Sequence, residues 1–311
     1  MLVTEYFAQW LLSQELFLER STYEALTIYV NRHVIPYFEP LRLTLQELTT
    51  THLQKYANDK MRNGRKDGKG GLSLVSVQKH ISVIKQALNE AVRLGLLSNN
   101  PAQYVRLPRK KSTHTERMVF LSSEEASRVI DAFEGSELYP VVVITLYYGL
   151  RRSEVLGLRW SAVDFRNDTI SIEHTVVKNL TIESKDSTKT ATSRRMFQLL
   201  PEVKRLLLTL YGEGQPSFRY VFCRSDGSPW RPDYLTRAFE RRLKLLGLPP
   251  MRFHDLRHST ASILFDRGWS LEDVKNWLGH ADIETTSNIY LHYGRARKIM
   301  LAKDLEGMLL K

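Results

Sequence analysis

At 311 residues, with 42% hydrophobic and 25% charged residues, the chain has the make-up of a globular protein long enough for two domains, not that of a disordered one. No apolar run reaches the roughly 18 to 20 residues that span a bilayer, and the opening Met1–Leu12 carries Glu5 and no basic stretch, so it does not read as a secretory signal. Cys223 is the only cysteine, which excludes an intramolecular disulfide and cysteine-based zinc motifs and leads us to expect a reducing, cytoplasmic setting. The net charge is +11, and it is unevenly spread: 16 Lys and Arg against 9 Asp and Glu up to Lys111, then 29 against 25. A basic excess favours a polyanionic partner because each neutralised phosphate releases counterions, although a charge kept for solubility looks the same by this measure.

The first hundred residues read as helices. Over Ser76–Leu97, Val77, Ile81, Ile84, Leu88, Ala91 and Val92 recur at helical spacing, with Gln78, Lys79, Lys85 and Gln86 elsewhere on the wheel. Gly95 is a stop signal and Pro101 a firm one. Ahead of that helix, Lys60–Gly71 reads as a basic, glycine-rich loop whose cations, Lys66 and Lys69 among them, suit a phosphate backbone or simply solvent. Asn99–Ser122, with Pro101, Pro108 and the run Arg109-Lys110-Lys111, reads as a linker, which puts a domain boundary near residue 110. Beyond it, Ser122-Ser123-Glu124-Glu125 has the form of a helix start, and Leu138–Tyr148 is an apolar helix ending at Gly149. Thr169–Glu173 alternates as a strand, Arg195–Leu199 is a second candidate, and helices return after Pro201.

Five stretches combine cations, imidazoles and a tyrosine without metal-ligand spacing. Gly149-Leu150-Arg151-Arg152-Ser153-Glu154 places an arginine after a flexible turn, where helix capping is the reading favoured for a single arginine. Thr188–Arg195 is polar and turn-prone, and Lys189 at its tip could donate a proton to a bound strand or lie exposed. His254-Asp255-Leu256-Arg257-His258 puts His254 and Arg257 on one helix face, a proton carrier beside a guanidinium fork that can grip phosphate. Ser270 opens a helix with Val274, Trp277 and Leu278 as its buried stripe, and Gly279 closes it, so that His280 leaves at the helix exit. Finally, Asp282–Tyr290 opens another helix, with Tyr290 and its rival Tyr293 near its first turns.

Together these stretches resemble the signature of the tyrosine recombinase, or phage-integrase, family. Gly-Leu-Arg-x-Ser-Glu is similar to its first arginine box, and Thr-Lys-Thr-x-x-Ser-Arg-Arg to its β-hairpin lysine motif. His-x-Leu-Arg, Leu-Gly-His and Thr-Thr-x-x-Ile-Tyr-x-His follow in the family order over essentially the whole chain. Asn-Pro-Ala-x-x-Val-x-Leu-Pro resembles the end of the family's core-site-binding domain. The resemblance implies a mainly α fold: a helical, SAM-like DNA-binding domain over 1–110 and an α+β catalytic domain with a small antiparallel sheet over 111–311.

It further implies that Tyr290 attacks a DNA phosphate to give a 3′-phosphotyrosyl link, that Arg151 and Arg257 neutralise the non-bridging oxygens, and that His254 helps remove the tyrosine proton. Lys189 would protonate the leaving 5′-oxygen, His280 would hydrogen-bond the phosphate, and Glu154 would orient its neighbours. Lys66, Lys69, Lys79, Arg109, Lys110 and Lys111 are the expected DNA-backbone contacts. No cofactor and no metal are implied. The implied partners are double-stranded DNA with inverted-repeat core sites, a homotetramer on paired sites, to which an apolar-patterned helix over Ala296–Leu310 could contribute, and accessory DNA-bending or excision proteins. Two other readings stay open: a type IB topoisomerase-like enzyme, and a catalytically idle DNA-binding regulator.

Overall fold

Apolar residues at three- and four-residue spacing build the first part of the chain. In α1 (Val3–Gln14), Val3, Tyr6, Phe7, Trp10 and Leu11 form one buried stripe. A second helix, α2 (Arg20–Tyr29), runs on through a wide π turn at Val30–Val34 into α3 (Ile35–Phe38). Pro36 accounts for the wide turn, since a proline ring cannot donate to, and clashes with, the carbonyl four residues back. Thr49 caps α4 (Thr50–Asn63), and Ser73, accepting from the Ser76 amide at 3.1 Å, caps α5 (Leu74–Arg93). The computed structural model describes residues 1–108, 119–178, 182–185, 194–212 and 218–279, and the chain divides into two units, Met1–His114 and Thr115–Lys311.

Three expectations for the first unit need correction. The α5 face is broader than its aliphatic residues suggest: His80 and Val83 are buried with Val77, Ile81, Ile84, Leu88 and Ala91, while Val92 is half-buried. The basic loop is shorter, because Lys60–Asn63 form the last turn of α4, where the Lys60 ammonium lies 5.3 and 5.4 Å from the ring centres of Tyr37 and Tyr56. The early part of the linker is packed rather than free. Residues Pro101–Tyr104 form a 3-10 turn whose Ala102 is in the core, and Gln54 exchanges two 2.9 Å hydrogen bonds with the Arg106 backbone.

In the second unit, Ser122 caps α6 (Ser123–Phe133) and accepts from the Glu125 amide at 3.2 Å. The next helix, α7 (Tyr139–Tyr148), is buried on nearly every side, which explains its unbroken apolar sequence, and Gly149 ends it in the left-handed region at φ 60°. A short helix, α8 (Arg152–Leu156), follows. Strands β1 (Val163–Asp164), β2 (Thr169–Ile172), β3 (Thr175–Lys178), β4 (Ile182–Lys185) and β5 (Arg195–Gln198) are all antiparallel. They pair as a three-stranded sheet in the order β1-β2-β5, with Ile170 opposite Phe197, and a separate β3-β4 ribbon. Of these, β1 has only two residues, and Thr175-Val176-Val177-Lys178 and Ile182-Glu183-Ser184-Lys185 do not alternate apolar with polar residues, so period two does not reveal them.

Helices α9 (Pro201–Tyr211), α10 (Pro232–Leu245), α11 (Asp255–Asp266) and α12 (Leu271–Leu278) complete the described part. Ile170, Ile172, Phe197, Phe239 and Leu256 join the α7 side chains in the main core. The ends of α7 and α12 meet closely: a Cβ on Gly149 would stand 2.2 Å from a Leu278 methyl. That approach brings the first arginine box next to the Leu-Gly pair that ends α12.

Candidate active site

The turn after α7 sets the site. Leu150 is buried, and the chain straightens so that Arg151 becomes the N-cap of α8, the capping role its sequence left open. Its amide donates to Glu154 Oε2 at 2.8 Å and its Nη1 to Glu154 Oε1 at 2.7 Å. Nη2 reaches across the fold to the Gly279 carbonyl at 2.9 Å. Arg257, in the first turn of α11, is 1% exposed and donates to the Gly149 carbonyl at 2.6 Å and the Leu278 carbonyl at 2.8 Å. Arg195, the first residue of β5, donates Nη1 and Nη2 to the two Glu154 oxygens at 3.2 and 2.8 Å. Three guanidiniums thus surround one carboxylate.

Glu154 is 2% exposed, and burial by itself raises its carboxyl pKa. Hydrogen bonds and charge from Arg195, then the charges of Arg257 and Arg151, outweigh burial and hold it at about 2. Arg257 shows the opposite balance: burial first, then Arg151, push its pKa well down, and Glu154 resists the shift. One negative charge among three positive ones leaves the cluster in need of an anion, and Arg151, a third exposed, faces solvent.

His254 and Arg257 differ sharply in exposure. His254 caps α11 and is exposed, its ring edge-on to His258 at 4.7 Å, whereas Arg257 turns inward to two backbone carbonyls. The packing around the ring, then His258, Arg257 and Arg151, lower the His254 pKa to about 4, so it is a neutral imidazole at pH 7. Below it, α11 is anchored by its hydroxyls: Ser259 Oγ accepts from the Leu121 amide at 3.0 Å, and Thr260 Oγ1 donates to the Leu146 carbonyl at 2.8 Å.

The structure therefore brings Arg151, Glu154 and Arg257 together, with His254 at the rim. Lys189, His280, Tyr290 and Tyr293, like Arg109, Lys110, Lys111 and the Ala296–Leu310 helix, lie outside the described residues. Ser270 caps α12 and Gly279 closes it at φ 66°, but Trp277 is only half-buried, its ring against Phe197 at 4.7 Å. Lys66, Lys69 and Lys79 are exposed, in a loop shaped by the Arg65–Asp67 pair and on the outer face of α5. Arg195 is the residue that sequence reasoning missed. Its only signal was the second arginine of Ser193-Arg194-Arg195 at the start of a strand. A groove of about 520 Å³ along α10 is also arginine-lined, but Asp233 engages Arg231 at 3.3 Å and Arg237 at 2.9 Å there.

A helical first unit, and a second unit that gathers buried guanidiniums around one carboxylate beside a small sheet, agree with the class that the family match shows, a site-specific DNA recombinase. The chain belongs to the phage integrase family: the phage integrase family model matches residues 119–297, and that of the phage integrase N-terminal SAM-like domain matches residues 2–61. The chain is similar to a XerC-like tyrosine recombinase of Caldanaerobacter subterraneus subsp. tengcongensis, at 24% identity over 90% of this chain and 76% of that one. It is also similar to the ICEBs1 integrase of Bacillus subtilis, at 27% identity over 96% and 81%. The Tn1549 transposon integrase, solved in complex with a circular intermediate DNA, shares the fold with a TM-score of 0.77 at 19% identity, over 97% of this chain and 99% of that one.

Proposed function

We propose that this recombinase breaks and rejoins duplex DNA through Tyr290, with Arg151 and Arg257 receiving the scissile phosphate. The observation that carries the reading is the Arg151–Glu154–Arg257–Arg195 cluster, whose net positive charge is held in place by backbone carbonyls from two separate turns. A phosphodiester resists attack because its non-bridging oxygens repel the nucleophile and its leaving alkoxide is basic. Fixed guanidiniums relieve the first problem, most strongly as charge builds on those oxygens in the transition state. Tyr290 Oη forms the new bond to phosphorus, and its proton passes to His254, whose ring is neutral but weakly basic until the negative charge of a bound phosphate offsets the nearby cations. The bond to the 5′-oxygen breaks, and Lys189 supplies that oxygen with a proton. His280 adds a hydrogen bond to the phosphate.

The 3′-phosphotyrosyl bond conserves the energy of the phosphodiester, so a 5′-hydroxyl from a partner strand can reverse the step without ATP. Lys66, Lys69 and Lys79, exposed on the first unit, together with Arg109, Lys110 and Lys111, would hold the DNA backbone. The λ integrase has been solved as a tetramer bound to a Holliday junction. By analogy, we assign this chain a homotetramer on paired inverted-repeat sites, moving a mobile element in the bacterial cytoplasm, with accessory DNA-bending or excision proteins.

The test is a trapping assay on genomic DNA followed by sequencing of the protein-linked ends. Wild type and Tyr293→Phe should form a covalent adduct. Tyr290→Phe should bind DNA without forming one, and phosphotyrosine mapped to Tyr293 would overturn the assignment. Supercoil relaxation without junction formation would instead identify a topoisomerase, and no adduct at all an idle regulator.

A further inference from the structure

Glu154 has two oxygens and about four lone-pair sites, and among the described residues four donors reach them: the Arg151 amide, Arg151 Nη1 and both terminal nitrogens of Arg195. Arg257 comes within 3.7 Å of Oε2 and makes no hydrogen bond to it. The carboxylate is thus saturated before Arg257 can claim it. The Arg195 side chain is 8% exposed, and both its terminal nitrogens are committed to Glu154.

Arg195 also backs the turn that carries the site. A Cβ on Gly279 would lie 2.9 Å from Arg195 Nη1, so the guanidinium rests directly on this left-handed glycine. The carbonyl of Gly279 accepts from Arg151, and that of the preceding Leu278 from Arg257. On the other side the guanidinium carbon lies 5.4 Å from the Phe197 ring, which packs on Tyr148 of α7 and Trp277 of α12 at 5.0 and 4.7 Å. One side chain therefore ties β5 to α8 and to the end of α12.

We propose that Arg195 is a positioning residue for strand cleavage: by filling the acceptor sites of Glu154 that Arg151 leaves open and bracing Gly279, it keeps Arg257 off the carboxylate and holds Arg151 on the Glu154 and Gly279 contacts that fix its place at the scissile phosphate. The proposal rests on the assignment of Arg151 and Arg257 to that phosphate. Without Arg195, Arg257, 3.7 Å from Oε2, is the described cation placed to take up the released oxygens. Lysine offers a point charge in place of a planar fork and can replace Arg195 only in part.

The experiment uses full-length wild type, Arg195→Gln and Arg195→Lys on a nicked suicide duplex carrying the cleavage sequence read from wild-type adducts. A second duplex bears a methylphosphonate at the scissile position, where one charged oxygen is replaced by methyl and the demand on the guanidiniums is smaller. We expect Arg195→Gln to lose about 100-fold in single-turnover cleavage of the ordinary duplex, as misplacement of reacting groups costs, with DNA affinity within about threefold of wild type and Arg195→Lys in between. Relative to wild type, the deficit should shrink on the methylphosphonate. Equal deficits on both duplexes, tracking the loss of folded protein in melting curves, would mean a structural role and overturn the proposal, as would cleavage at the wild-type rate in both variants. A wild type that forms no adduct on either duplex would overturn the phosphate assignment, and this proposal with it.

Discussion

Glu154 in the second unit and His80 in the first are equally enclosed, each 2% exposed, yet they meet burial in opposite ways. Glu154 stays ionised because three guanidiniums surround it. His80 has Tyr56 Oη at 2.9 Å and the His33 ring at 4.7 Å, with Lys60 as the nearest cation, and burial, then His33, then Lys60 lower its pKa to about 4. The first unit removes the charge of its buried group, whereas the second keeps that charge and surrounds it. Desolvation costs the same kind of free energy in both places, and the proposed role of the second unit's cluster, receiving an anionic phosphate, gives a reason to bear that cost as charge. By this comparison, the polar interior of the first unit is architecture and that of the second is chemistry.

Glu154→Gln should break the comparison most severely. An amide leaves the guanidiniums without their counterion, so we expect a loss of about 3–5 kcal/mol in urea unfolding, together with loss of covalent adduct. Stability within experimental error of wild type would show that solvent, and not Glu154, balances these charges.

Acidification separates the two kinds of site. His80 binds protons more weakly folded than unfolded, so its contribution is fully present above about pH 6.5 and is lost as pH falls toward 4, worth on the order of 2–3 kcal/mol. Glu154 has a depressed folded pKa, so its contribution is present above about pH 4.5 and is lost only as pH falls toward 2. Since His254 and His258 also lose their neutral state on acidification, the two units must be observed separately. Hydrogen exchange in α5, corrected for intrinsic rates, should accelerate between pH 6.5 and 4 in wild type, and His80→Phe should flatten that dependence. An unchanged slope in the variant would remove His80 as its source.

Tyr56→Phe sharpens the comparison within the first unit. It deletes the hydroxyl that meets His80 Nδ1, and we expect about 1–2 kcal/mol of destabilisation by denaturant titration, with adduct formation by the folded fraction unchanged. The smallest effect is expected at the surface. Changing Lys66, Lys69 and Lys79 together to Ala should leave stability within about 0.5 kcal/mol while lowering the log–log salt slope of DNA binding by roughly 0.9 for each phosphate that is no longer neutralised. A wild-type slope would make these lysines solvated charge only.

Much of this protein was legible from local pattern. The face of α5, the cap at Ser122, the stop at Gly149 and the Ser270–Gly279 brackets of α12 follow from helical spacing and from which residues tolerate a helix end. The motif positions of Arg151, Glu154 and Arg257 were likewise readable, but only from their resemblance to the family's motifs, since each stretch by itself fits an ordinary cap or surface helix. What Arg257 and Arg151 bind was not, since their partners lie 108 and 128 residues away. Nor was Arg195, whose fork meets Glu154 across 41 residues and whose sequence context is an ordinary basic strand start. Lys60 looked like a loop cation until two aromatic rings from other positions met it at the end of α4. Helix periods and caps are set by neighbours three or four residues apart, so one sequence suffices to read them. Which charges share a carboxylate depends on how whole elements pack, and only the tertiary structure decided that.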